Sequence, residues 1–104
     1  MHLYGEMLVP PDTIQLILSY VTPTRGGMDC TGLVLWSDIT SEFYIYKNGV
    51  NIGGGRTSSA SPTLQLDYSG CPIGLAGNDV LVVMGEHIGE TEKTLKATLL
   101  ANLL

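Results

Sequence analysis

The residues able to do chemistry are few. Glu86, His87 and Glu90 place an imidazole near two carboxylates, the donor types that hold a divalent metal. On a strand Glu86 and His87 point to opposite faces, so they cannot converge on one ion; His87 and Glu90 could meet only across a turn. A metal centre needs three or four converging ligands, and this stretch reads instead as a solvated polar strand end. The run Gly53, Gly54, Gly55, Arg56, Thr57 shares its glycines with phosphate loops, but a Walker loop ends in Gly-Lys-Ser/Thr and opens a helix. Here the run follows a strand pair and reads as a glycine bend. No nucleophile–base pair stands out, and Asp38 near Ser37 and Ser41 fits loop hydrogen bonding rather than a triad. No enzymatic activity, metal or cofactor is expected. Tyrosine offers an apolar face with a polar tip. Tyr44 and Tyr46 share a face with Glu42, which makes them candidate carbohydrate-binding residues; shielding of the sheet is the simpler account of them.

Strands must position these side chains. Residues 42–53 read as a β-hairpin. Phe43, Ile45 and Lys47 alternate with Glu42, Tyr44 and Tyr46, and Asn48-Gly49 supplies the two positive φ angles of a type I′ turn. Residues 13–22 form a half-buried strand with Ile14, Leu16, Leu18 and Tyr20 on one face. Residues 31–37 run apolar, as if covered on both faces. Residues 63–68 alternate, with Leu64, Leu66 and Tyr68 inward. Residues 79–88 set Val80, Val82 and Met84 against Leu81 and Val83. Residues 93–102 place Leu95, Ala97, Leu99 and Ala101 on one face. Helical spacing of Leu95, Leu99 and Leu103 also fits there, but the short preceding turn and the β-branched Thr94 and Thr98 favour a strand. Seven strands, with turn signals roughly every 8–12 residues, give a sandwich or barrel pattern.

Residues 1–12 read as an N-terminal arm ahead of a domain over 13–104. Leu3, Tyr4, Met7, Leu8 and Val9 are apolar without clean alternation, and Pro10-Pro11 cannot donate ladder hydrogen bonds. These five residues are the expected partner-binding set, with pairing to the protein's own sheet as the competing possibility.

The chain has 104 residues, 44% of them hydrophobic and only 14% charged, with a net charge of −5. That length suits one domain. A charged fraction well under the roughly 25% of an ordinary soluble domain leaves a neutral surface of the kind that lies against a partner. Arg25, Lys47, Arg56, Lys93 and Lys96 form no basic run, so nucleic acid is not an expected partner, and the acidic balance disfavours anionic membranes. No basic and apolar leader follows Met1 and no apolar run could span a bilayer, so folding in the cytoplasm is expected. Cys30 and Cys71 lack metal-like spacing and are expected to be unbonded thiols.

Residues 33–36 (Leu-Val-Leu-Trp) resemble the second strand of fibronectin type III and immunoglobulin-like domains. Residues 43–50 resemble the third-strand hairpin, and residues 74–80 the turn before the sixth strand. The likeness implies a seven-stranded antiparallel β-sandwich, all-β, with Trp36 between the sheets beside Leu16, Leu35, Ile45, Leu66 and Val82. Leu81 and Val83 stand where the family carries its corner tyrosine, and the order of Cys30, Trp36 and Cys71 is not the immunoglobulin one. Residues 55–58 and 63–68 resemble small β-sandwich proteins of tailed bacteriophage particles. That likeness implies a structural virion protein, decorating a capsid or associated with a tail. It would be assembled in the host cytoplasm, present in multiple copies or as a homo-oligomer, and bound to other virion subunits. A carbohydrate-binding or adhesive module is the alternative.

Overall fold

The computed structural model describes residues 2–103, which form nine strands and no helix. The strands are β1 (His2–Val9), β2 (Gln15–Val21), β3 (Met28–Trp36), β4 (Ser41–Lys47), β5 (Val50–Thr57), β6 (Thr63–Asp67), β7 (Ile73–Leu75), β8 (Val80–His87) and β9 (Lys93–Leu103).

Asn48 and Gly49 form the expected hairpin tip, with φ of 51° and 80°, and Lys47 pairs with Val50 across it. Pairing then spreads outward along the chain. β3 pairs with β6 and β7, β2 with β8, and β1 with β9, all antiparallel. The described residues therefore form one long hairpin rolled over itself. Its strands fall into a five-stranded sheet, β1-β9-β3-β6 with β7 also on β3, and a four-stranded sheet, β2-β8-β4-β5. This wrapping is that of a jelly roll. It differs from the expected immunoglobulin-like arrangement, in which the first strand neighbours the second; here the first neighbours the last.

The count exceeds the seven expected strands by β1 and the three-residue β7. Of the expected arm over residues 1–12, His2–Val9 is thus an integral strand, while Met1 lies outside the described residues. β1 follows β9 in unbroken register, from His2 opposite Leu100 to Val9 opposite Lys93. Gly5 is central to the fit, because a Cβ there would collide with the carbonyl oxygen of Ile17 on β2. The missing side chain lets the edges of the two sheets close on one another.

The core comprises Val9, Ile17, Leu18, Met28, Leu33, Leu35, Phe43, Ile45, Leu75, Leu81, Val83, Leu95 and Leu99 with the smaller Cys30, Ala97 and Ala101. Each such side chain contributes roughly 1.5–3 kcal/mol when fully buried. β9 buries Leu95, Ala97, Leu99 and Ala101 on one face, as its alternation predicts. Trp36 does not lie between the sheets. Leu33 and Leu35 take the inward positions of β3, so Val34 and Trp36 face outward. β8 likewise buries Leu81, Val83, Gly85 and His87 and turns Val82 out. A bulge between Leu16 and Leu18 changes the phase of β2, burying Ile17 and Leu18 in succession and leaving Leu16 42% exposed. Of the expected companions of Trp36, Leu35 and Ile45 are core and Leu66 packs at its margin.

Candidate interaction surface

The register of β2, β8, β4 and β5 sets parallel rows across the outer face of the four-stranded sheet. The first row is Glu86, Glu42 and Arg56; the second Leu16, Met84, Tyr44 and Gly54; the third Ser19, Val82, Tyr46 and Asn51. Val21 opposite Val80 begins a fourth row. Leu16 and Val21 are exposed, and Val80, Val82, Met84, Tyr44 and Tyr46 are half-buried. No charged side chain interrupts the second and third rows. The charges stand at the two ends: Glu42, Arg56 and Glu86 at one, and Lys47 with Asp79, 3.9 Å apart, at the other.

The first charged end is a network. Arg56 pairs with one oxygen of Glu42. The Tyr44 hydroxyl meets Glu86 Oε1 and lies 3.1 Å from Glu42 Oε2, so its single proton serves one carboxylate at a time. The Arg56 hydrogen bond, then that of Tyr44, holds the Glu42 carboxyl below its usual range. The hydrogen bond to Glu86, followed by desolvation, holds the Tyr44 phenol well above its ordinary value. At the opposite end Asn48 ties the hairpin tip to β8. Its side chain donates to Asp79 Oδ1 at 3.0 Å and accepts from the Val80 N–H at 2.9 Å. The apolar rows therefore lie between two hydrogen-bonded ends.

Tyr44 and Tyr46 do share this face, but the Tyr44 hydroxyl, the polar tip a sugar would use, is committed to carboxylates. The five residues of the expected docking arm separate. Val9 is fully buried and Leu3 packs against the core, while Tyr4, Met7 and Leu8 stay exposed on β1. Leu16, Val82 and Met84 were missed as surface residues. The apolar run of residues 80–84 was the available signal, since a strand apolar on both faces has something to cover on each.

His87 is no solvated strand end. It is 1% exposed, its Nε2 lies 2.6 Å from the Val9 carbonyl oxygen, and its Nδ1 accepts from the Gly89 N–H at 3.0 Å. Both ring nitrogens are used, which leaves none for a metal shared with Glu90. No group of three or more metal-ligating side chains converges among the described residues. Cys30 is buried and Cys71 exposed, both as free thiols; burial pushes the Cys30 thiol up.

No protein-family model matches the chain, and no curated protein is significantly similar in sequence. Among solved structures the chain is similar to the nucleoplasmin-like N-terminal domain of Drosophila FKBP39. That match has a TM-score of 0.40 and 14% identity over 95% of this chain and 89% of that one. The likeness is too loose to bear on function.

Proposed function

We propose that the protein is a non-enzymatic assembly subunit, present in many copies within a larger particle, with the outer face of the four-stranded sheet as its principal contact. The observation that carries this reading is the charge-free band from Leu16 to Tyr46, bounded by polar networks at both ends. An apolar centre with a polar rim is the anatomy of protein interfaces. Tyr4, Met7 and Leu8 on β1 offer a second apolar contact on the other sheet. The particle we propose is a tailed-phage virion, as capsid decoration or a tail-associated component. That step rests on the sequence resemblance; the jelly-roll wrapping, found in capsid and lectin domains alike, adds only an analogy of fold.

The test is solution mass by light scattering across a concentration series, for the natural chain and for Met84→Lys and Val82→Lys. The natural chain should form a defined multimer. The lysine variants should be monomers with near-normal melting temperatures, because both positions already face outward. A natural chain that stays monomeric throughout, and does not bind purified virions, contradicts the proposal.

A further inference from the structure

Trp36, the sole tryptophan, lies on the outer face of the five-stranded sheet, opposite the proposed assembly surface. The register places Glu6 on β1, Lys96 on β9 and Trp36 on β3 in one cross-strand row. Beside this row a groove of about 440 Å³ is completed by Leu8, by Asp38 from the loop after β3, and by Glu92 and Lys93 at the start of β9. Lys96 Nζ sits 4.9 Å from the indole centroid, a cation–π distance.

Two ion pairs form among the described residues, and neither lies in this groove. Arg56 pairs with Glu42 and Lys47 with Asp79. Among the described residues, none of the three carboxylates and two ammonium groups around Trp36 has an opposite charge within 4.0 Å; Glu6 accepts from the Tyr4 hydroxyl at 3.0 Å and Lys96 lies over the indole, which leaves Asp38, Glu92 and Lys93 without a side-chain partner. Carboxylates only accept hydrogen bonds and ammonium groups only donate. A ligand that satisfies both must donate and accept from one surface without strong charge of its own, and hydroxyl groups do this. Leu8 and the part of the indole that Lys96 leaves uncovered supply the apolar wall that the C–H face of a pyranose covers.

We propose that the Trp36 groove is a binding site for a neutral or amino-substituted saccharide. Three carboxylates against two ammonium groups disfavour an acidic sugar. The site shares no residue with the principal face built on Met84 and Tyr44, so it stands or falls separately from that face; Leu8 alone is common to the groove and the second apolar contact on β1.

The lone indole reports directly on the groove. Selectively excited fluorescence of the full chain is titrated with cellotetraose, maltotetraose and triacetylchitotriose. At least one should shift the emission saturably, and Asp38→Ala and Glu92→Ala should each weaken that binding about tenfold. A shift that tracks protein concentration instead of sugar assigns the groove to subunit packing and overturns the proposal. So does the absence of any saturable change, or a saturable change that both variants leave untouched.

Discussion

His87 and Val9 join the two sheets. The imidazole Nε2 lies 2.6 Å from the Val9 carbonyl oxygen, and because the Gly89 N–H donates to Nδ1, the proton sits on Nε2 and is donated to Val9. β1 belongs to one sheet and β8 to the other, so this bond anchors the first strand across the sandwich. His87→Ala should cost about 1–3 kcal/mol for the unsatisfied Val9 carbonyl, with a cavity contribution added. Removing residues 1–9 should abolish cooperative unfolding, since it strips the edge of β9 and takes Val9 from the core. Urea denaturation checks both; an unchanged midpoint in the truncated chain contradicts β1 as an integral strand.

Two glycines should respond in opposite ways to alanine. At Gly5 a Cβ would meet the Ile17 backbone, which cannot rotate aside, whereas at Gly53 the nearest atom is the Tyr68 hydroxyl at 3.6 Å. Gly5→Ala should lower the melting temperature clearly. Gly53→Ala should be neutral or stabilising by up to about 1 kcal/mol, as the unfolded chain loses freedom. Thermal melts of the two variants decide it.

Gly49→Val should cost about 1–2 kcal/mol or more, because Gly49 sits at φ 80°, where a branched residue is strained. The cost should appear as faster exchange of the β4 and β5 amides by hydrogen exchange. Equal protection in both proteins would mean that the tip does not govern the hairpin.

The hairpin was legible because its signal is local: Asn48-Gly49 fixes the turn whatever surrounds it. β9 was legible through the strict alternation of Leu95, Ala97, Leu99 and Ala101. The phases of β3 and β8 were not, because residues 32–36 and 80–84 are apolar on both faces. Nothing local says that Leu35 rather than Trp36 turns inward. β2 was misread at its bulge, where one extra residue moves Leu16 to the outside. β1 lacked alternation because Gly5 answers to Ile17, a contact between strands that lie in different sheets. The interaction face was half legible. Tyr44 and Tyr46 share a strand, but Leu16, Val82 and Met84 join them only through the pairing of β2 and β4 with β8.

Acid should weaken the fold at its surface networks. Glu42 is held low by Arg56, Asp79 by the Asn48 side chain and then the Ala76 N–H, and Asp67 by the Ser69 N–H. A depressed folded-state value means that the unfolded chain takes up protons first as pH falls. The stability these groups contribute is present above the ordinary carboxylate range and lost as pH drops through the depressed values. Asp67 is exposed and Glu42 and Asp79 are only half-buried at the surface, so each contribution is small. Melting temperature against pH should fall on the acid side, and Glu42→Gln should make that limb shallower; an unchanged slope would mean that the Arg56 pair contributes nothing.

Methionine oxidation measures directly whether the Met84 face is covered. Met84 lies within the apolar band, while Met7 on β1 is 38% exposed and Met28 is fully buried. Brief peroxide treatment followed by peptide mass analysis gives the three rates, at high and at low protein concentration. If the four-stranded sheet packs against another subunit, Met84 is protected in the concentrated sample and becomes reactive on dilution, while Met28 stays protected at both. A Met84 rate that is the same at every concentration would contradict the face as a subunit contact.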